Sequence, residues 1–259
     1  MAILFDLDGV FYQADKVIAG AAEVACWAND NSIPHLFLTN TSSKPRSALV
    51  ERLAGFGIDT DEAHILTPPV AAVRWLRNNL VDEKIALFVP EKTKVEFSDF
   101  KDVQQDEEVA AVVVGDLGSD WNFAILNRAF QLLMSEPKPK LVALGMTRYW
   151  QADDGLRLDV APFVMALSHA ADVEPLVMGK PALSFYKAAV DILGEDASRI
   201  VMVGDDVCGD VDGAQRAGLK AVLVRTGKFR ESDLETGIKP EAVLDSIVDF
   251  PAWYQSKKI

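Results

Sequence analysis

Two aspartates stand two residues apart in Asp6-Leu7-Asp8-Gly9-Val10, directly after the apolar run Ile3-Leu4-Phe5. Thr39-Asn40 follows a second apolar run, Leu36-Phe37-Leu38. Lys180 sits in Gly179-Lys180-Pro181, and Gly204-Asp205-Asp206 closes another apolar run, with Asp210 five residues beyond Asp205. Singly, each has an ordinary explanation. Asp and Gly are common turn residues, a lysine before proline is usually a solvated loop residue, and Thr-Asn suits a helix entry. Together they offer up to five carboxylates, a lysine and a threonine at the ends of strands. Two unit negative charges ~4 Å apart repel by about 4 kcal/mol at an effective dielectric of ~20. Such a cluster needs protons, a lysine or a metal, and carboxylate oxygens with phosphate and water are the preferred surroundings of Mg2+.

That set suits phosphoryl transfer, in which positioning and charge do most of the work. Asp6 is placed to attack phosphorus and form an aspartyl-phosphate. Asp8 can protonate the leaving oxygen and then take a proton from the hydrolytic water. Thr39, with Asn40 and neighbouring amides, can hold the non-bridging phosphoryl oxygens, and Lys180 supplies positive charge to them and to the nucleophile. Asp205 is the candidate direct metal ligand, with Asp206 and Asp210 reaching the ion directly or through water.

The elements that must position these groups follow from the pattern. The spacing predicts short buried strands at residues 3–5 and 34–38, with helices over 20–31 and from Ser43 to about Phe56. Thr67-Pro68-Pro69 predicts a helix start, continued by Val70, Val73, Leu76 and Leu80 at helical spacing. A fresh α/β pattern begins near residue 81, with strands at 85–89, 110–114 and 141–144 and helices over 121–134 and 162–171. Residues 11–18 and 145–154 read as loops. The first pattern resumes with a helix over 183–193, a strand at 199–203, a helix beginning at Asp210, and strands at 221–224 and 242–244. Alternating strands and helices predict an α/β fold: a doubly wound parallel-sheet, Rossmann-like core from residues 1–80 and 179–259, with an inserted α/β cap domain at 81–178. Ligands of such sheets lie outside the carboxyl ends of the strands, where the acids fall.

Composition narrows the classes further. The chain has 259 residues and a net charge of −13, from 39 acids against 26 bases. That balance argues against a nucleic-acid partner, whose phosphates require a basic surface. No apolar run reaches the ~18 residues of a membrane span, and the N-terminus lacks the pattern of a signal peptide, so no membrane partner and a cytoplasmic location are expected. Cys26 and Cys208 form neither a disulfide framework nor a zinc pattern.

The four motifs resemble those of the haloacid dehalogenase-like hydrolase superfamily. The insertion after the second motif is similar to the larger α/β cap of its 4-nitrophenylphosphatase and NagD-like branch. Leu126-Asn127-Arg128-Ala129-Phe130, Arg148-Tyr149-Trp150 and Asp154-Gly155-Leu156 look like sequences of that branch. The resemblance implies a Mg2+-dependent phosphatase acting on a small phosphorylated substrate, with Asp6 as nucleophile and Asp8 as acid and base. It makes Asp6, Asp205 and the Asp8 carbonyl the metal ligands. It implies a mobile cap, and it leaves room for a homodimer formed through that cap. Arg148, Trp150 and Asp153 in the cap loop are the candidate specificity residues. Gly115-Asp116 reads as a strand-end turn. Two rivals share the same chemistry: a phospho-accepting regulatory module, and a catalytically silent member with the same Mg2+ site.

Overall fold

The computed structural model describes residues 1–103, 107–152 and 155–257. From the N-terminus, β1 (Ala2–Asp6) leads through β2 (Tyr12–Gln13) and β3 (Lys16–Val17) to α1 (Ala21–Asp30), β4 (His35–Leu38), α2 (Arg46–Gly55) and β5 (Ile65–Leu66). Next come α3 (Pro68–Asn79), β6 (Ile85–Phe88), β7 (Ala111–Val114), α4 (Phe123–Leu133), β8 (Lys140–Ala143), β9 (Tyr149–Ala152), β10 (Gly155–Leu158), α5 (Val160–Ala171) and β11 (Leu176–Val177). The last stretch holds α6 (Leu183–Leu193), β12 (Ile200–Gly204), a π-helical segment Val207–Asp212, α7 (Gly213–Arg216), β13 (Lys220–Val224), β14 (Ala242–Leu244) and α8 (Phe250–Lys257).

Packing divides the chain into two units. The first is Met1–Thr39, Arg46–Leu66 and the chain from Lys180 onward; the second is Asn40–Pro45 and Thr67–Gly179. The expected division lay between residues 80 and 81, whereas α3 groups with the second unit. The helix itself forms as its residues dictate: Thr67 Oγ1 accepts from the Val70 amide, two prolines open the first turn, and Ala71, Ala72, Val73 and Leu76 are buried. Helical spacing tells that one face is buried but not which sheet buries it.

The first unit is built on a six-stranded parallel sheet of order β14-β13-β12-β1-β4-β5. β1 lies at its centre, every residue buried, as expected of a strand covered on both faces. Phe5 meets Phe11 edge-on at 5.3 Å, Phe37 stacked at 5.8 Å and Phe250 edge-on at 5.8 Å between ring centres. Aromatic pairs of this kind add about 0.5–1.5 kcal/mol each beyond area burial. They fix the chain on both sides of Asp6 and Asp8. Residues 11–18, expected as a loop, contain the short β2–β3 hairpin, in which Tyr12 pairs with Val17.

The second unit has a four-stranded parallel sheet, β11-β8-β7-β6. Val112, Val114, Leu141 and Ala143 on it pack with Ala129, Leu133, Val164 and Leu167 from α4 and α5. The expected loop at 145–154 enters an antiparallel hairpin, β9–β10, pairing Tyr149 with Leu158 and Trp150 with Arg157. This is the Rossmann-like α/β core with an inserted α/β domain that the sequence predicts. Among the described residues no helix is long and apolar enough to cross a membrane.

Candidate active site

The carboxyl ends of the first unit's parallel strands converge, because β1 lies between β12 and β4 and all three run the same way. Asp6 is the last residue of β1, and Asp205 follows β12. Asp210 lies on the π-helical segment that begins after Asp206. Lys180 stands three residues before α6. Asp6, Asp205 and Asp210 each bring a carboxylate oxygen within 4.8 Å of the others. All three side chains are buried.

Lys180 ties the cluster together. Its ammonium donates to Asp6 Oδ1 and to Asp210 Oδ1, both at 2.6 Å, and lies buried. The other Asp210 oxygen accepts from the Asp205 and Asp206 amides at 3.1 Å each. Asp206 caps the π-helical segment, its Oδ1 accepting from the Cys208 and Gly209 amides at 3.0 and 2.8 Å. Tyr186, fully buried on α6, donates its hydroxyl to the Gly209 carbonyl at 2.8 Å. The Asp210 carboxylate is thus held by three donors, the Lys180 ammonium and the Asp205 and Asp206 amides.

Charge remains unbalanced. Burial pushes Asp6 up to about 6, against the opposing pull of Lys180. Burial and the neighbouring Asp210 push Asp205 up to about 6, and burial and Asp6 do the same to Asp210. Burial works against the Lys180 ammonium, but Asp210 and Asp6 outweigh it and hold it charged, well above the usual lysine range. Three carboxylates against one ammonium leave two negative charges, the charge of one divalent cation.

Other features of the cluster fit a cation. Asp205 Oδ1 is buried and has no hydrogen-bond partner, which for a charged oxygen is costly unless something positive meets it. Its Oδ2 accepts from the Lys228 amide at 2.6 Å. Gly9 and Gly227, with φ of +89° and +62°, face that carboxylate, and a Cβ on either would collide with it. Thr226 Oγ1 donates to the Gly9 carbonyl at 2.5 Å, joining the loop after β13 to the turn that carries Asp8. The residues therefore fit a divalent cation held by carboxylate oxygens. Asp210, with both oxygens engaged by Lys180 and amides, is placed to position rather than ligate.

The predicted residues separate into two groups. Asp6, Lys180, Asp205, Asp206 and Asp210 come together. Asp8 lies on the same turn with its side chain exposed, and the Gly9 amide donates to the Tyr12 carbonyl at 2.7 Å to close that turn. Thr39 is buried one residue beyond Leu38, the register partner of Asp6, and its amide donates to the Leu66 carbonyl. Asn40 is exposed and packs with the second unit. Arg148 and Trp150 are exposed at the start of the second unit's hairpin. Asp153 lies outside the described residues. The sequence pattern gave no role to Thr226, Gly227 and Lys228, although they follow an apolar strand just as Thr39 and Asp205 do. Tyr186 had no signal, since an aromatic on an amphipathic helix reads as core.

The profile of the haloacid dehalogenase-like hydrolase family matches residues 3–101, and a HAD-hydrolase-like profile matches residues 177–250. The phospholysine phosphohistidine inorganic pyrophosphate phosphatase of Homo sapiens is 37% identical over 251 residues, covering 95% of this chain and 90% of its own. The haloacid dehalogenase-like hydrolase domain-containing protein 2 of Bos taurus is 37% identical over 246 residues, covering 94% and 90%. Among solved structures, the p-nitrophenyl phosphatase from Archaeoglobus fulgidus superposes with a TM-score of 0.89 at 27% identity, covering 97% of this chain and 98% of that one.

Proposed function

Because the chain belongs to the haloacid dehalogenase-like hydrolase family and its relatives are phosphatases, we propose that it hydrolyses a small phosphorylated metabolite through an aspartyl-phosphate on Asp6, with Mg2+ as cofactor. The observation that carries this is the buried Asp6–Asp205–Asp210 cluster with Lys180 at 2.6 Å from two of its members. In this reading the ion is held by Asp6, Asp205 and the Asp8 carbonyl. When bound, it supplies the positive charge that lets a phosphate dianion approach so many carboxylates.

The chain's own residues do the rest. The free carboxylate oxygen of Asp6 attacks phosphorus, forming the acyl-phosphate bond as the bond to the leaving oxygen breaks. Asp8, exposed on the turn, gives its proton to that oxygen. Water then attacks the phosphoryl group, Asp8 takes its proton, and Asp6 is released with inorganic phosphate. Lys180 keeps Asp6 ionised and oriented by engaging Oδ1, leaving Oδ2 as nucleophile. Thr39, beside the end of β1, holds a non-bridging oxygen. Asp206 and Asp210 keep the loop after β12 in shape, and the second unit serves as the inserted cap. The human relative, by its name, acts on phospholysine, phosphohistidine and inorganic pyrophosphate, which makes phosphoramidates and phosphoanhydrides the first substrates to offer.

The test is phosphate release from p-nitrophenyl phosphate, pyrophosphate and phosphoamino acids, with and without Mg2+. Mg2+-dependent turnover is expected, falling by about three orders of magnitude or more in Asp6→Asn. Full turnover in that variant overturns the assignment of Asp6. A stoichiometric, stable acyl-phosphate without turnover would instead identify a phospho-accepting regulatory module.

A further inference from the structure

Two lysines approach the acid cluster, and they are placed for different work. Lys180 is buried and its ammonium is engaged by Asp6 and Asp210 at 2.6 Å. Lys228 begins from the same cluster, since its amide donates to Asp205 Oδ2 at 2.6 Å. Its side chain is 69% exposed, with the ammonium ion-paired to Asp206 Oδ2 at 3.6 Å; burial works against its charge, but Asp6, Asp205 and Asp206 raise its pKa. The pair is longer than a hydrogen bond, so the ammonium, though ion-paired with Asp206, still has N–H donors to offer an incoming anion. Its backbone is not free to drift. Gly227 before it has φ +62° and packs on the Asp205 carboxylate, Thr226 is bonded to the Gly9 carbonyl, and the Lys228 carbonyl accepts from Arg230 Nη1 at 3.0 Å.

We infer that Lys228 is a specificity-determining residue of this site: its ammonium takes the second anionic group of a substrate whose leaving group is itself a phosphate, favouring phosphoanhydrides such as pyrophosphate over monoesters with uncharged leaving groups. The inference rests on the phosphatase reading above. Its physical basis is charge. The reacting phosphoryl group meets Lys180 and the cation, whereas a leaving phosphate must sit towards solvent, beside Asp206 and the exposed Asp8, where negative charge would otherwise repel it. Lys228 is the cation anchored at that rim. A neutral aromatic leaving group gains little from it, and a phosphate gains a charge-assisted hydrogen bond.

The experiment compares kcat/KM for pyrophosphate and for p-nitrophenyl phosphate in the full chain with Mg2+, in the wild type, Lys228→Met and Lys228→Arg. The pyrophosphate-to-nitrophenyl ratio is expected to fall about tenfold in Lys228→Met, the worth of one charge-assisted bond, mainly through KM. Lys228→Arg should restore most of it. In the wild type, the KM for pyrophosphate should climb more steeply with salt than that for p-nitrophenyl phosphate, a reading that needs no variant. Mg2+ affinity by calorimetry shows whether the variants keep the Asp205 arrangement. An unchanged ratio, an equal loss on both substrates, or a wild type that turns over p-nitrophenyl phosphate but neither hydrolyses nor is inhibited by pyrophosphate overturns the inference and leaves the phosphatase reading standing. Absence of turnover on every substrate overturns both.

Discussion

Replacing Lys180 by methionine tests the electrostatic core of the site. The substitution keeps most of the side-chain volume and removes the ammonium from between Asp6 and Asp210, each 2.6 Å away and each buried. Breaking a buried ion pair from one side costs about 3–5 kcal/mol, because the partners stay buried without compensation. The partners have an escape, which is to take up protons. Asp6 and Asp210 titrate near about 6 even with Lys180 present, so without it they rise further. Each pH unit over which one carboxyl is protonated in the variant but ionised in the wild type recovers about 1.4 kcal/mol. The cost should therefore shrink from about 3–5 kcal/mol at pH 7.5 to about 1–2 kcal/mol near pH 5. For a protein of this size that corresponds to a Tm loss of about 6–20 °C at pH 7.5 and a few degrees at pH 5. The assay is thermal unfolding in EDTA at both pH values, with Asp210→Asn added to the variant as a control that removes one orphaned charge. A loss of the same size at both pH values would mean that packing, not charge, sets the cost. A loss below about 2 °C at pH 7.5 would refute the buried-pair account.

Two further outcomes follow from the same geometry. Gly227→Ala should weaken Mg2+ binding by tenfold or more on calorimetry, because its Cβ displaces the Asp205 carboxylate, whereas Gly237→Ala, with φ +82° and no atom within 4 Å of the new Cβ, should show only the backbone cost of about 1–2 kcal/mol and no change in Mg2+ affinity. Without metal, Asp6, Asp205 and Asp210 bind their protons more tightly folded than unfolded, their pKa values being raised from 3.8 to about 6. Their contribution to stability is full below about pH 4 and is lost as pH rises through about 6, so Mg2+ should add little to the Tm at pH 4.5 and progressively more up to a plateau above pH 7. A Tm gain from Mg2+ that stays constant from pH 4.5 to 7.5 would count against Asp6 and Asp205 as its ligands.

Much of this arrangement could be read from the chain because a parallel strand writes itself as an apolar run and its carboxyl end as the first polar residue after it. Asp6, Thr39 and Asp205 were legible on those grounds alone. Arg225-Thr226-Gly227-Lys228 follows Ala221-Val222-Leu223-Val224 in the same way, yet threonine, glycine and lysine carry no chemical signal until Asp205 is seen against them. The hairpin β9–β10 was missed for a different reason. Leu156-Arg157-Leu158 alternates within a strand of only four residues, Tyr149 and Trp150 stand side by side, and all four apolar residues are exposed, so the pattern is too short to announce a strand. The grouping of α3 with the second unit was also out of reach, since two prolines and a capping threonine specify a helix start and nothing about its neighbour. The π-helical form of Val207–Asp212 depends on Asp206 and Asp210 turning inward to backbone amides, which no spacing rule anticipates.

The acid cluster also shows why this site cannot be explained as a device for stability. Three buried carboxylates around one lysine are worse for the apo fold than apolar residues of the same volume would be. The chain tolerates them because its rigid parts surround them: the fully buried β1 with its aromatic contacts, the Tyr186 hydroxyl on the π-helical segment, and the Thr226 bond across to Gly9. Each holds a carboxylate where repulsion would move it. On the proposed reading a divalent cation relieves that repulsion at neutral pH, as protons do at low pH, and a phosphate is expected to follow it. The expected binding order is then cation before substrate. Phosphate or pyrophosphate should accordingly bind the metal-free protein weakly at pH 7.5, and affinity should appear with Mg2+ in the same titration.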